Sequence, residues 1–427
     1  MSNHRVLAAA AVLMLATTTP SGRTKETPDW PQWRGPRRDG SAPSLSVPAS
    51  WPAELSRKWS VDIGEGHAGP VVASGRIIVH VRENDREVVR ALALEDGAKV
   101  WERSWPVGYQ MHPAATGHGK GPKATPAVSR GTVFVLGIDG TMTALDEKTG
   151  AVRWRKEFTG KFKTASPAYG AAASPLVEKS LVIAPFGGHH DGMLAALDVA
   201  SGAVRWSLEG DGPGYASPVA ADLSGRRQII TQTDRRIVGL AAESGKLLWS
   251  LPLVTPYDQN VVTPLVFEDL VIVSGLEYGL RAFRLHPQGD ALEPKEVWNS
   301  PEASLYMSSP VVAGGRLFGL SHLKSGQIVC LDPRTGKLLW TGPGSQGEYA
   351  TFTAAPGAVL ALTEGAEMFV LSTKAGAFEP LARYKVADSP TWAHPAPAPG
   401  GLLVKDKTRL TFWKIGAETP PPPRPKS

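Results

Sequence analysis

The amino-acid sequence predicts an all-β protein: an eight-bladed β-propeller of four-stranded blades, with the last blade closed by an N-terminal strand. Three observations lead to this prediction. Glycine (45 residues) and proline (37 residues) are abundant among the 427 residues, and both interrupt helices. Two short motifs each recur along the chain. The two series of motifs are out of phase at the chain ends, and this offset predicts how the ring closes.

The first motif is a small hydroxyl residue followed by proline and then by apolar, mostly β-branched residues, as in Thr125-Pro126 and Ser217-Pro218. The proline, or the residue aligned with it, stands at positions 70, 126, 175, 218, 264, 310, 352 and 397. These positions are roughly 40 to 55 residues apart, a spacing typical of propeller blades. Each copy is therefore expected to begin the innermost strand of one blade.

The second motif is an apolar strand, an acidic turn with glycine, and then a tryptophan. Asp146, Thr149-Gly150 and Trp154 form the most complete copy. The aromatic position recurs at 59, 101, 154, 206, 249, 298, 340 and 384. Glycine-containing turns also separate the other short apolar runs within each unit, and such turns join the strands of hairpins. Four short strands per unit are typical of a propeller blade.

The chain ends predict the closure of the ring. Trp59 marks an outermost strand that no inner strands precede, whereas Pro397 begins a unit that has inner strands only. The strand around residues 57–61 is therefore expected to complete the last blade. This arrangement removes an exposed sheet edge.

The unit from Ala144 to Trp154, A-x-D-x-x-T-G-x-x-x-W, resembles the tryptophan-docking repeat of quinoprotein propellers, the PQQ-like repeat family. The resemblance implies that each tryptophan packs between neighbouring blades and that the Asp/Thr turn fixes its hairpin. The same repeat occurs in PQQ-dependent alcohol dehydrogenases and in the lipoprotein subunit of the outer-membrane β-barrel assembly machine. It therefore implies a fold and leaves the function open.

Four segments are predicted. Residues 1–20 are typical of a signal peptide with a short apolar core, which predicts a periplasmic or secreted protein. Residues 21–55 form an N-terminal arm whose WPQWRGP motif, starting at Trp30, is similar to a segment preceding the propeller in predicted secreted PQQ-like repeat proteins. We expect this arm to lie extended on the propeller. Residues 56–416 form the propeller, and residues 417–427 form a Pro-rich tail expected to be disordered.

Composition narrows the classes of partner. Lys and Arg (46) against Asp and Glu (40) give a net charge of +6, and the basic residues are scattered rather than arranged in a stripe, which disfavours nucleic acid. Outside the signal peptide no apolar run is long enough to span a membrane. No cysteine follows the apolar core of the signal peptide, so no lipid anchor is expected. The single cysteine, Cys330, is expected to be a buried structural thiol. The protein is expected to be a monomer.

The repeat register predicts a binding site at the mouth of the central channel. In a propeller, the loops before the innermost strands share one face with the turns between the second and third strands. The residues three positions before each first-motif position should surround the mouth: His67, Lys123, Ala172, Tyr215, Val261, Met307, Tyr349 and His394. From this face we select His67, Lys123, Tyr215, Asn260, Tyr349 and His394 as candidate ligand- or cofactor-binding residues.

His189, His190 and Asp191 are candidate metal ligands on the same face, because imidazole and carboxylate groups are common ligands of transition metals. The alternative interpretation is that polar loops collect histidines without binding a metal. No spaced histidine pair typical of a metalloenzyme supports a site.

The sequence predicts a non-catalytic binding scaffold for a protein or small ligand on the loop-rich face. The alternative function is a PQQ- and calcium-dependent alcohol or sugar dehydrogenase, and a third is a metal-dependent enzyme. The resemblance implies that such dehydrogenases hold Ca²⁺ with acidic and amide ligands, use an aspartate as base and place a vicinal cysteine pair over the quinone. One cysteine excludes that pair. Lys123, Asp258, Asn260 and Glu277 could contact a cofactor, but they match no catalytic motif, so no catalytic residue is assigned.

Overall fold

Each sequence repeat forms one four-stranded antiparallel sheet. The computed structural model describes Met1 and residues 29–415, and within them the chain forms eight such sheets arranged as a β-propeller. The predicted all-β, eight-bladed fold is confirmed. Apart from Met1, the predicted signal peptide lies outside the described residues, as do residues 21–28 of the arm and the Pro-rich tail. Among the described residues, no helix is long and apolar enough to cross a membrane.

The strands follow the chain from the inside of each blade to the outside. Strand β1 (Arg57–Asp62) precedes blade 1. Blades 1 to 4 contain β2 (Val71–Ala73), β3 (Arg76–Glu83), β4 (Arg86–Ala93) and β5 (Lys99–Pro106); β6 (Ala127–Ser129), β7 (Thr132–Leu136), β8 (Met142–Asp146) and β9 (Val152–Lys156); β10 (Leu176–Glu178), β11 (Leu181–Gly188), β12 (Asp191–Asp198) and β13 (Val204–Glu209); and β14 (Val219–Leu223), β15 (Arg226–Gln232), β16 (Arg236–Ala241) and β17 (Leu247–Pro252).

Blades 5 to 8 continue the pattern. They contain β18 (Leu265–Phe267), β19 (Leu270–Gly275), β20 (Gly279–Gln288) and β21 (Ala291–Ser300); β22 (Val311–Ala313), β23 (Arg316–Ser321), β24 (Gln327–Leu331) and β25 (Leu338–Thr341); β26 (Ala350–Ala355), β27 (Ala358–Thr363), β28 (Glu367–Ser372) and β29 (Pro380–Lys385); and β30 (Ala396–Ala398), β31 (Gly401–Lys405) and β32 (Arg409–Lys414). Three short 3-10 helices lie in loops, at Pro113–His118, Pro256–Asp258 and Leu323–Ser325.

The apolar core lies between the blades. Phe134 of blade 2 and Phe186 of blade 3 belong to one buried cluster, so the middle strands are covered on both faces. This explains their continuous apolar sequences, because a strand buried on both sides has no polar face to alternate with. Cys330 in β24 is fully buried in such a layer, as expected from the sequence.

In most blades the second motif docks the blade onto the next one. The indole Nε1 of Trp206 in blade 3 donates a hydrogen bond to the Ala242 carbonyl of blade 4 at 3.2 Å. The ring lies against Gly245 in the same turn, where a Cβ atom would come within 2.6 Å of the indole. Trp154 donates in the same way to the Val199 carbonyl at 3.0 Å. The inter-blade packing implied by the resemblance is therefore present.

Trp249 departs from this docking pattern because the outer hairpin of blade 5, β20 to β21, is long. The indole of Trp249 donates to Gln228 Oε1 of its own blade at 2.7 Å. The hairpin tip contacts blade 4 instead, through Asp290 and Lys246, whose carboxylate and ammonium groups are 3.1 Å apart.

The predicted closure of the last blade is confirmed. Strand β1 pairs antiparallel with β32, with Ser60 opposite Thr411 and Val61 opposite Leu410. The sheet order β1-β32-β31-β30 shows that the N-terminal strand supplies the outermost position of blade 8. Residues from both ends of the propeller thus share one sheet.

The hydroxyl groups of the first motif join neighbouring blades around the channel. In blades 2 to 6 each of these hydroxyls accepts a hydrogen bond from the backbone N–H of the equivalent residue in the preceding blade. The bonds run from Gly69 to Thr125 Oγ1 (2.9 Å), Thr125 to Ser174 Oγ (2.9 Å), Ser174 to Ser217 Oγ (2.9 Å), Ser217 to Thr263 Oγ1 (3.2 Å) and Thr263 to Ser309 Oγ (3.1 Å). The side-chain acceptor satisfies a buried donor that no strand partner reaches.

The N-terminal arm lies across the channel instead of extended on the surface. Residues 30–42, here called the central plug, begin paired with Val72 of blade 1 and end bonded to Ala354 of blade 7. Turns occupy residues 32–39 between these points. The extended arm expected from the sequence is wrong over this segment, because the glycines and arginines of the motif fold it into turns that reach opposite walls.

Two buried arginines fix the central plug between opposite blades. The Arg34 guanidinium donates to the carbonyl oxygens of Ser309, at 2.8 Å, and of Pro310 in blade 6. The Arg38 guanidinium donates to the carbonyls of Ser174 and Pro175 in blade 3, at 2.9 and 2.8 Å. Both side chains are almost fully buried. The plug therefore braces the channel through cation-to-carbonyl bonds.

Candidate functional site

An open cavity lies at the mouth of the channel, above the central plug. Its lining includes all eight residues that the repeat register places there: His67, Lys123, Ala172, Tyr215, Val261, Met307, Tyr349 and His394. Trp33 of the plug also lines it. We call this space the mouth cavity and the surrounding loops the mouth face.

The mouth face combines two kinds of loop, as the register requires. Pro213, in the loop before the first strand of blade 4, pairs with Thr233 after the second strand of that blade. Leu305 and Ser321 pair in the same way in blade 6. These bridges hold the first-strand loops beside the turns between the second and third strands.

The structure brings five of the six candidate ligand-binding residues to the mouth cavity and leaves Asn260 outside its lining. Asn260 is fully buried. Its amide nitrogen donates to the carbonyls of Thr233 and Leu253 at 2.7 and 3.0 Å, and its oxygen accepts from the Thr255 hydroxyl at 2.8 Å. These bonds use the whole amide to hold the loop before β18. Asn260 and Val261 are adjacent in this loop, and the sequence does not reveal which of the two side chains points into the cavity.

The candidate metal ligands are separated by their own partners. His189 Nε2 lies 3.0 Å from the Tyr215 hydroxyl, and His190 Nε2 lies 3.0 Å from Asp258 Oδ2. Asp191 Oδ2 accepts from the Lys163 backbone N–H at 2.7 Å, in another direction. Within residues 29–415 no group of three His, Cys, Asp or Glu side chains is arranged to hold a metal ion.

Several aromatic rings line the cavity and contact one another. Tyr349 and Trp392 stack with centroids 5.0 Å apart and an interplanar angle of 15°. His118 meets the edge of Trp392 at 5.0 Å, and Tyr169 meets His118 at 5.5 Å. Trp392 and Tyr169 were not among the candidates from the sequence. Trp392 stands two residues before His394 in the same loop, and that proximity was the available signal.

Lys123 is the only acidic or basic side chain of the lining apart from the histidines, and no Asp or Glu lines the cavity. Burial lowers the pKa of Lys123 to about 8, which leaves the amine mostly protonated at neutral pH. Its one hydrogen bond goes from Nζ to the Gly119 carbonyl at 3.4 Å. The cavity therefore contains a cation that has no anionic partner among the described residues.

The remaining polar groups of the lining are neutral. Burial, together with nearby Lys123 and Lys405, lowers the pKa of His67 to about 3. Burial, together with Arg34, lowers the pKa of His394 to about 3. Burial also raises the phenol pKa of Tyr215, which stays protonated. The site thus combines one ammonium, neutral imidazoles, phenol donors and flat rings.

The lining does not fit a calcium-bound quinone. Hard cations such as Ca²⁺ take carboxylate and carbonyl oxygens as ligands, and the cavity presents no carboxylate. The Asp258 carboxylate is bonded to His190 instead. Cys330, which is fully buried in blade 6, does not reach the mouth cavity.

Comparisons with known proteins agree on the repeat family. A sequence model described as "Outer membrane protein assembly factor BamB" matches residues 85–342. The BamB protein of Shewanella oneidensis is 25% identical over 243 residues, which cover 53% of this chain and 59% of that protein. BamB of Yersinia pestis is 26% identical over 272 residues, covering 63% and 62%. The chain spans about three fifths of the length of these curated relatives.

Solved structures share the fold at low sequence identity. The crystal structure of BamB from Moraxella catarrhalis has a TM-score of 0.61 and 17% identity, covering 85% of this chain and 98% of that one. Quinohemoprotein alcohol dehydrogenase from Comamonas testosteroni has a TM-score of 0.65 and 15% identity, covering 93% and 82%. At this identity the likeness concerns the fold alone, because one fold hosts unrelated functions.

Proposed function

The chain belongs to the family described as outer membrane protein assembly factor BamB, and we propose that it is a non-catalytic binding scaffold that presents its mouth face to a protein or small ligand. The observation that carries this proposal is the mouth cavity. Every blade contributes a residue to it, and its lining offers no carboxylate ligand for the calcium ion of a quinoprotein dehydrogenase.

The relatives favour a protein among the partners of the mouth face. They are named as assembly factors for outer membrane proteins. We propose that this chain acts as a monomer in the periplasm or after secretion, in agreement with the predicted signal peptide. We also propose a role in outer membrane assembly. It is a proposal because the chain spans only about three fifths of the length of these relatives.

An exposed aromatic side chain on the mouth face supports protein binding. Tyr257 is 79% exposed and, with Asp258, adopts a left-handed backbone at φ of 65° and 56°. Such conformations are costly for residues other than glycine and persist where surrounding structure holds them. Here the Thr255 hydroxyl bonds to Asn260 at 2.8 Å within the same loop. Tyrosine is enriched among residues that dominate binding energy at protein interfaces.

Site-specific photo-crosslinking tests the proposal. A photoreactive phenylalanine replaces Tyr257 on the mouth face in one variant and Val152 in another. Val152 is an exposed residue of the outer strand β9 and provides the control. In the native envelope we expect position 257 to crosslink to one discrete protein. Position 152 should not crosslink to that protein, and the purified propeller should bind it. Identical crosslinks from both positions would overturn the binding face. Turnover of an alcohol with added PQQ and Ca²⁺ would overturn the non-catalytic role.

A further inference from the structure

One histidine side chain joins the loops of three blades at the edge of the mouth face. His190 lies in the turn between β11 and β12 of blade 3. Its Nδ1 accepts a hydrogen bond from Arg235 Nε of blade 4 at 3.0 Å, and its Nε2 lies 3.0 Å from Asp258 Oδ2 in the loop before blade 5. The side chain is 46% exposed, so protons from the solvent reach it directly.

The partners of the His190 ring fix the position of its proton in the neutral state. An arginine N–H can only donate, so Nδ1, which faces Arg235, is the unprotonated nitrogen. The proton is then on Nε2, which donates it to the Asp258 carboxylate. Neutral His190 therefore uses both of its nitrogens, one as acceptor and one as donor.

A second possible partner of Nδ1 lies beside it. Asp234 Oδ2 is 3.2 Å from His190 Nδ1, and the Asp234 side chain is fully buried. This carboxylate accepts from the backbone N–H groups of His190, at 2.5 Å, and Gly212, at 3.1 Å. A carboxylate has about four lone-pair sites, so Asp234 retains the capacity to accept a further N–H.

Protonation of His190 would exchange the partner of Nδ1. An imidazolium carries an N–H on both nitrogens, so Nδ1 can no longer accept from Arg235, and two positive groups would face each other. Asp234 is the acceptor within reach of the new N–H, while Nε2 keeps its bond to Asp258. Within residues 29–415 the Arg235 side chain donates only to His190, so this exchange releases its guanidinium.

The backbone around the ring is packed too tightly to move with it. A Cβ atom on Gly212 would lie 2.1 Å from the Gly188 carbonyl oxygen and 2.8 Å from the His190 nitrogen. His190 itself has a left-handed backbone with a φ of 59°, a conformation that persists where surrounding structure holds it. The exchange is therefore confined to side chains.

The other charged and titratable groups near the ring have different partners. The ring of His189 contacts that of His190 at 6.4 Å between centroids, and burial lowers the pKa of His189, so it takes up a proton later than an ordinary histidine. Behind Asp234, the Asp211 carboxylate is paired with Arg236. Asp191 accepts from the Lys163 backbone.

We propose that His190 is an acid-sensitive switch of the mouth face, which binds Arg235 through Nδ1 when neutral and Asp234 when protonated. Histidine is the side chain that ordinarily changes its charge between pH 5 and pH 8. In acid the face gains one positive charge and an unpaired guanidinium beside the loop that carries Asp258 and Tyr257. The consequence for partner binding rests on the proposed function, whereas the switch itself does not.

Nuclear magnetic resonance of the full chain, labelled with ¹⁵N in histidine and arginine, tests the switch between pH 8 and pH 5. The His190 and Arg235 signals are assigned by their loss in His190→Gln and Arg235→Lys. We expect the Nε2–H tautomer of His190 at pH 8, both nitrogens protonated at pH 5, and an Arg235 Nε–H signal that shifts with the same midpoint. The Nδ1–H tautomer at pH 8, or an Arg235 signal that does not follow His190, would overturn the proposal.

The variant His190→Gln provides a side chain that can accept and donate but cannot titrate. We expect its Arg235 signal to stay constant from pH 8 to pH 5. His286→Gln is the matched control, because His286 is an exposed histidine on the outer hairpin of blade 5, and its Arg235 signal should shift as in the parent. An Arg235 signal that still shifts in His190→Gln would show that another group is the sensor.

The acceptor role of Asp234 has a test of its own. Burial raises the pKa of the Asp234 carboxyl, and Asp234→Asn removes both its charge and its titration. We expect this variant to lower the midpoint of the His190 titration by about one pH unit, because a nearby carboxylate stabilises the imidazolium. In the unsubstituted protein, the ¹³C signal of the Asp234 carboxyl should shift with the His190 midpoint, a measurement that does not depend on the folding of a variant. An Asp234 signal that ignores the His190 titration would overturn the exchange.

The switch and the binding role fail separately. A His190 that never exchanges its partner leaves the crosslink from position 257 unaffected. The absence of a face-specific crosslink likewise leaves the coupled titration of His190 and Arg235 unaffected.

Discussion

Replacing Gly245 with alanine tests the docking of tryptophan between blades. The φ angle of Gly245 is +70°, and a Cβ atom there would lie 2.6 Å from Trp206. Gly225, in another turn of the same blade, has a φ of +72° and no atom within 4 Å of the position that a Cβ would take. The two substitutions therefore share the backbone cost and differ in the contact with the indole.

The structure gives the expected magnitudes. A left-handed backbone costs an alanine about 1 to 2 kcal/mol, which is the whole expected effect of Gly225→Ala. Gly245→Ala must also displace the buried indole of Trp206, for about 1 to 3 kcal/mol of overpacking. It further weakens the hydrogen bond from Trp206 to Ala242, at about 1 kcal/mol. We expect a total loss of roughly 3 to 6 kcal/mol.

A double-mutant cycle separates the two contributions. Trp206→Ala should cost about 3 to 5 kcal/mol by itself. In that background Gly245→Ala should cost only the backbone contribution, which corresponds to a coupling of about 2 to 4 kcal/mol between the two sites. Urea unfolding followed by circular dichroism measures each free energy. Equal losses for Gly225→Ala and Gly245→Ala, or an undiminished loss for Gly245→Ala in the Trp206→Ala protein, would refute the docking argument.

Three further predictions concern the plug, acid and the thiol. Arg34→Met should lower the free energy of unfolding by roughly 3 kcal/mol, because four carbonyl oxygens lose their donor. The control variant Arg37→Met, at an exposed plug position, should change the free energy of unfolding by less than about 0.5 kcal/mol. The pKa of His67 and His394 is lowered to about 3, below the value of about 6.5 for an unfolded histidine, so the unfolded chain takes up protons first. The contribution of these two histidines to stability should be constant above pH 7 and fall from pH 6.5 downwards by up to about 1.4 kcal/mol per pH unit for each histidine, as measured by urea unfolding at each pH. Burial raises the pKa of Cys330 to about 12, so a thiol reagent at pH 8 should label it only as the protein unfolds.

Each of these predictions has a contrary result. Equal stability of the Arg34→Met and Arg37→Met proteins would show that the plug bonds contribute little. Stability that is flat between pH 7 and pH 5 would mean that these histidines are already accessible to protons in the folded state. Labelling of Cys330 within minutes under native conditions, monitored at 412 nm with a chromogenic disulfide, would contradict its burial.

The repeated part of the fold was predictable because the blades use the same residue types for the same contacts between neighbours. A hydroxyl before proline supplies an acceptor to the neighbouring blade, and a tryptophan needs a glycine turn to lie on, so both motifs recur in phase. The same register places Lys123 and Tyr349 at the mouth. Where the backbone repeats, the position of a residue relative to its strand is enough to predict that it lies at the mouth.

Features without a repeat were not predictable from the sequence. The bonds of Arg34 to blade 6 join residues 275 and 276 positions apart. Every residue has a backbone carbonyl, so the sequence does not reveal which carbonyls accept these bonds. Asn260 adjoins a mouth position but turns its amide into the loop. His190 pairs with Asp258 and His189 with Tyr215, so the adjacency of the two histidines in the chain does not bring their rings to a common ligand.

The shared blade also has a consequence for biosynthesis. The hydroxyls of Ser60 and Thr411 lie 2.8 Å apart although 351 positions separate them. Strand β1 and the central plug are synthesised before the blades that they bind, so both must wait for the rest of the chain. A nascent chain that stops before β32 leaves β1 unpaired, and an unpaired strand edge promotes aggregation. Only the finished chain can hide that edge, so an interrupted synthesis yields a product that proteases and chaperones can recognise.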